Sequence, residues 1–125
     1  MIRYMLAAGL LLTAPALVRP AQAQDAEAGK AIFKSICNLC HENIKNKNRV
    51  GPSLYGVVGR HSGIIPGFAY SDANKNSGIT WTEDVLFKYE EDPQKMVPGT
   101  KMTYTGLKDP QKRKDLIADL KTLHD

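Results

Sequence analysis

The apolar positions of this chain form one N-terminal run, two helical stripes and a wide irregular middle. From Met5 to Val18 the run is broken only by Thr13 and Pro15. Further on, Gly29, Ile32, Phe33, Ile36, Cys37 and Cys40 recur at steps of three and four, which is one face of an α-helix. Asp25 stands ahead of them as an N-cap. Glu27 falls in the first turn, where the helix dipole favours negative charge. The spacing predicts a helix whose apolar stripe runs straight into the two cysteines. Gly29 is a poor helix former, so its place in the stripe points to close approach by another helix. Near the other end Leu116, Ile117, Leu120 and Leu123 make a second stripe. Asp109 caps that helix, Pro110 sits at its first position, and the Lys, Arg and Asp residues between the leucines read as its outer face.

The middle is weaker. Residues 42–50 are polar and read as a loop, and Gly51-Pro52-Ser53-Leu54-Tyr55-Gly56 reads as tight turns, with Gly56 and Gly59 keeping the backbone permissive. No period is sustained from there to Tyr70. A short helix is predicted from Ser71 as N-cap to near Gly78. Thr82 caps another, with Val85, Leu86 and Tyr89 as its inner face and Asp92-Pro93 as its stop. Residues 93–108 show no helical period. Strand signals are nearly absent, and no repeat is found. The prediction is an all-α domain of three or four short helices joined by long loops. Loops of this length need a large apolar body to pack on.

At 125 residues the chain makes one domain, and 42% hydrophobic content fits a globular protein rather than a disordered or membranous one. Residues 1–23 read as a secretory signal: Arg3, the apolar run, then small residues in Ala21-Gln22-Ala23. The run is shorter than the ~20 residues of a spanning helix. Cleavage before Gln24 is therefore preferred over retention as an anchor, leaving a domain of 24–125 in the periplasm. The whole chain has a net charge of +4; without Arg3 and Arg19, 15 basic residues face 13 acidic ones. Such a balance gives no general basic surface for nucleic acid. Recognition then rests on where individual lysines stand.

The chemistry is concentrated in Cys37-Asn38-Leu39-Cys40-His41. This is C-x-x-C-H, the attachment pattern of a c-type haem. Two intervening residues put both thiols on one side of a helical turn, within reach of two vinyl groups of one porphyrin. His41 then falls beneath the iron as a ligand. A thiol–disulfide redox pair is one alternative, but the βαβ setting of such motifs is missing. Zinc is another, but it takes about four ligands and the chain has no further cysteine. In an oxidising compartment two free cysteines tend to pair, and haem attachment consumes both.

With that motif, GKAIFKSICNLCH, GPSLYGVVGR, PGFAYSDANKNSGITW and PGTKM stand in order along residues 25–125. Together they resemble class I cytochrome c, in particular the mitochondrial carrier and its small bacterial relatives. The resemblance implies the class I cytochrome c fold, a few short helices and long loops wrapped around one covalent haem. It implies Met102 as the second iron ligand, opposite His41; a soft neutral thioether favours ferrous iron. Met96 and His61 are the competitors, the first better read as a core filler and the second, like His124, as solvated surface. It further implies that the Pro52 carbonyl accepts a hydrogen bond from the outer nitrogen of His41, which strengthens the ligand. Tyr70 and Trp81 stand as propionate donors, with Arg60 and Asn74 in the same buried polar network. Tyr89 lies near the methionine sulfur, and Thr100 belongs to the same haem-contacting set.

Three positions depart from the mitochondrial pattern. Ile36 takes the place of a rim lysine, Tyr55 that of a bridging histidine, and Asp119 that of an aromatic residue between the terminal helices. The function implied is a monomeric one-electron carrier rather than an enzyme. Its implied partners are a quinol–cytochrome c reductase and a terminal oxidase or photosynthetic reaction centre. They would dock at an exposed haem edge near Arg49, Lys95, Lys101 and Lys108, with the acids Asp84, Glu90, Glu91 and Asp119 elsewhere. The alternative is the haem subunit of a larger periplasmic dehydrogenase.

Overall fold

The structure, a computed structural model, describes residues 23–125. The signal segment expected at 1–23 lies outside the described residues but for Ala23. Five α-helices follow one another: α1 (Ala26–Ser35), α2 (Asp72–Lys75), α3 (Glu83–Tyr89), α4 (Pro93–Met96) and α5 (Pro110–Leu120). Long loops join them, and the one β-bridge among the described residues pairs His61 with Thr80. None of the described helices is long and apolar enough to cross a membrane.

Side-chain caps set the helix starts. Asp25 accepts from the amides of Glu27 and Ala28, Ser71 from Asn74, Thr82 from Val85, and Asp109 from Gln111 and Lys112. Each satisfies amides that the helix itself leaves unpaired. α1 crosses α5, and Phe33 joins Leu116, Ile117 and Leu120 in the core with Trp81, Leu86, Tyr89 and Val97. Gly29 marks the crossing. A Cβ there would fall on the carbonyl of Asp115, so the two backbones meet as closely as the sequence anticipates. Asp115 Oδ1 also accepts from the amide of Asp25 at 3.0 Å, tying the start of the domain to its last helix.

Three expectations are corrected. The helical stripe does not run unbroken to the cysteines: α1 stops at Ser35, and Cys37–Leu39 form a tighter 3₁₀ turn. That turn keeps Cys40 bonded to the Cys37 carbonyl at 3.1 Å. Pro93 does not merely end α3; with Asp92 as cap it opens α4, a helix too short to show a period. The polar side of α5 is not all outer face, because Arg113, Asp115 and Asp119 are buried. Arg113 is held by the carbonyls of Leu107 and Lys108 at 2.8 and 3.2 Å and lies 4.4 Å above the Phe87 ring.

Candidate functional site

One cavity of about 590 Å³ opens between the 3₁₀ turn, the loop 50–60, α2, α3 and the segment after α4. Leu54, Val57, Leu86 and Leu120 give it apolar walls. A second hollow of about 490 Å³, between Gln24, Thr82, Glu83 and Ile117, carries no cysteine, histidine or methionine.

Cys37, Cys40 and His41 line one side of the large cavity. His41 Nδ1 lies 2.7 Å from the carbonyl oxygen of Pro52. A carbonyl can only accept, so Nδ1 carries the proton and Nε2 keeps its lone pair. Burial holds the imidazole below its usual pKa against the opposing pull of the Pro52 bond, with Arg60 adding to the lowering. The ring is therefore neutral at pH 7, the form that ligates a metal. Gly51 makes room for it, since a Cβ there would sit 2.6 Å from Nδ1 and 2.7 Å from Nε2.

Met102 lines the same cavity although 60 residues lie between it and His41. The Tyr89 hydroxyl donates to its sulfur at 3.2 Å. The amide of Met102 donates to Thr100 Oγ1 at 3.2 Å, and that hydroxyl donates to Asn74 Oδ1 at 3.0 Å. A left-handed Gly99, φ 90°, turns the chain just ahead of this arm. Met96 is half-buried against the core and His61 is exposed, its Nδ1 2.9 Å from Thr80 Oγ1.

Arg60, Tyr70, Asn74 and Trp81 all reach the cavity, but not as one network. Arg60 donates to the carbonyls of Ser53 and Tyr55, Tyr70 Oη accepts from the Ile65 amide, and Asn74 Oδ1 serves Ser71 and Thr100. Within the protein these bonds are separate anchors, each fixing its own loop.

Glu90 and Asp119 are corrected as well. Both are buried rather than on a remote surface, and Glu90 lines the cavity itself. The helical period contained that signal, because Glu90 follows Leu86 by four residues on the inner stripe of α3. Tyr104, also in the lining, had no such marker in its irregular stretch.

The donor set settles what the cavity suits. Burial pushes the Cys37 thiol up to about 12, helped by the nearby Glu90 and Asp119 carboxyls. That environment disfavours the thiolate which zinc or disulfide exchange requires and suits a neutral, carbon-bonded sulfur. A neutral imidazole nitrogen and a thioether line the same largely apolar space, together with the polar side chains of Arg60, Tyr70, Asn74 and Trp81. A flat apolar macrocycle with a polar edge fits these residues.

A sequence model of the cytochrome c family matches residues 26–124. The chain is 68% identical over 99 residues to cytochrome c2 of Rhodopila globiformis, covering 79% of this chain and 93% of the relative. It is 58% identical over 114 residues to cytochrome c2 of Blastochloris viridis, covering 90% of this chain and 88% of the relative. Among solved structures, cytochrome cH from Methylobacterium extorquens superposes with a TM-score of 0.74 at 49% identity, over 78% of this chain and 98% of that one.

Proposed function

Because the chain belongs to the cytochrome c family, an electron carrier with one covalent c-type haem and not an enzyme, we propose that it works as a soluble periplasmic shuttle ligated by His41 and Met102. The observation that supports this most is the meeting of Cys37, Cys40, His41 and Met102 around one cavity. The haem iron supplies a one-electron ferric/ferrous couple. The protein supplies rigidity. His41 is fixed by Pro52 and by the space at Gly51, and Met102 by Tyr89 and Thr100, so both ligands stay in place in either oxidation state. Cys37 and Cys40 form the thioethers. Arg60, Tyr70, Asn74 and Trp81, which all line the cavity, would hold the haem propionates.

The donor is a quinol–cytochrome c reductase and the acceptor an oxidase or a reaction centre. They meet the protein at the cavity, whose lining includes Lys101 and the 69% and 77% exposed Leu39 and Val50. Arg49, Lys95 and Lys108, all exposed, complete the basic face. Export follows from the signal at 1–23, with cleavage before Gln24.

Mass spectrometry of the periplasmic protein tests this directly: residues 24–125 plus one haem are expected. Haem that acid-acetone extracts overturns the covalent attachment. The weak red methionine–iron band of the ferric protein is expected to vanish in Met102→Ala. Its survival there, with loss in Met96→Ala, reverses the ligand assignment.

A further inference from the structure

Glu90 is the most anomalous residue of the cavity wall. It closes α3, lines the cavity and is 8% exposed, and its Oε2 has no hydrogen-bond partner. Arg113 on α5 is the cation acting on it, but no hydrogen bond or ion pair joins the two, although the buried Nε of Arg113 also lacks a partner. The guanidinium contacts Glu91 Oε2 at 3.5 Å and bonds to the carbonyls of Leu107 and Lys108. Around Glu90 stand Tyr89 on its own helix, Cys37 on the 3₁₀ turn and Tyr104 on the segment after α4. Asp119, the other buried carboxyl of this region, acts on Cys37 from α5. None of these relieves a charge on Glu90.

We propose that the Glu90 carboxyl is a proton-binding site coupled to the electron this protein carries, one proton entering the cavity wall with each electron and leaving with it. The inference rests on the cavity being the haem site. A buried carboxyl with no partner is costly to ionise, and burial raises Glu90 to about 7 against the opposing effect of Arg113. A change of one charge nearby then decides its protonation. Reduction removes one positive charge from the cavity. The carboxylate's affinity for a proton rises, and an O–H bond forms with a proton drawn from solvent. When the electron passes to the acceptor the positive charge returns, the O–H bond breaks and the proton goes back to solvent. One electron and one proton are taken up, and both are released. By linkage the protonated form must have the higher reduction potential.

Redox titration of the purified holoprotein from acid to alkaline pH tests the coupling. The wild-type potential is expected to fall as pH rises through neutrality and to level off on either side. Glu90→Gln and Glu90→Leu, the second suited to the apolar wall, are expected to be flat in that window. Asp119→Asn is expected to keep the wild-type profile. Reduction-induced infrared difference spectra should show a protonated-carboxyl band in wild type that both Glu90 variants lack. A flat wild-type potential overturns the proposal. So does a slope retained in either Glu90 variant, which assigns the proton to the propionates or another group, or a slope lost in Asp119→Asn. Covalent haem and the Met102-dependent red band test the underlying reading separately; a protein with both and a flat potential overturns this inference alone.

Discussion

The hydroxyl of Tyr89 and the sulfur of Met102 are 3.2 Å apart, with the hydroxyl donating. With Met102 as the proposed iron ligand, this bond would draw electron density from the sulfur, make it a weaker donor to ferric iron and so raise the potential. Tyr89→Phe should lower it. A net hydrogen bond of about 1 kcal/mol bounds the drop at roughly 40 mV. Voltammetry of the two proteins checks both the sign and the bound.

Gly51→Ala should weaken haem ligation more than folding. The new methyl presses on the His41 ring, and overpacking of this kind costs about 1–3 kcal/mol. The ring can escape only by leaving the Pro52 carbonyl. Holoprotein yield should drop, and the surviving ferric protein should show a disturbed low-spin spectrum.

Gly29→Ala acts elsewhere. Its methyl would strike the Asp115 carbonyl where α1 and α5 cross. A loss of about 1–3 kcal/mol is expected, or roughly 4–8 °C in Tm per kcal/mol for a domain of this size. Thermal unfolding should reveal it, with the red band and potential unchanged.

Glu90 also sets a pH dependence of stability. Its folded pKa of about 7 lies above the ordinary 4.5. Between those values the folded chain keeps a proton that the unfolded chain has lost, so stability falls as pH rises through that window. The full loss is on the order of 3 kcal/mol. Denaturant titrations at acid and alkaline pH should show the decline in wild type and not in Glu90→Gln.

Lys101 borders the cavity, and its Nζ donates to the Ala69 carbonyl at 3.3 Å. Lys121 is not part of the cavity lining and is paired with Glu83 at 3.0 Å. Reduction by a quinol–cytochrome c reductase should slow as salt screens the approach. Lys101→Glu should slow it on the order of tenfold at low salt, and Lys121→Glu should change it little. Equal effects, or indifference to salt, point to apolar docking through Leu39 and Val50.

Caps and stripes were legible in the sequence because they are local. Asp25, Ser71, Thr82 and Asp109 each cap the helix that the adjacent residues announce. Gly29 was legible because a glycine inside an apolar stripe has few other reasons to be there. The CNLCH motif points to the cofactor, which family membership bears out, and only the resemblance points to Met102, whose own surroundings carry no period. What escaped was long-range. The partners of Arg60 and Asn74 lie in loops whose paths no pattern fixes. The burial of Arg113 depends on carbonyls at Leu107 and Lys108, and α4 is shorter than a helical repeat can register. Glu90 stood on an apolar stripe, but as a charged residue it was read as surface.

The crossing at Gly29 also fixes an order of events during synthesis. Its partner, Asp115, stands on α5, the last helix of the fold, far along the chain from α1. A chain emerging N-terminus first cannot seat α1 until α5 has followed it. Cys37 and Cys40 lie just beyond α1 and remain outside any finished fold until then. The architecture thereby leaves the thiols accessible for modification up to the moment the last helix arrives, after which the closing of the terminal helices leaves both only half-exposed.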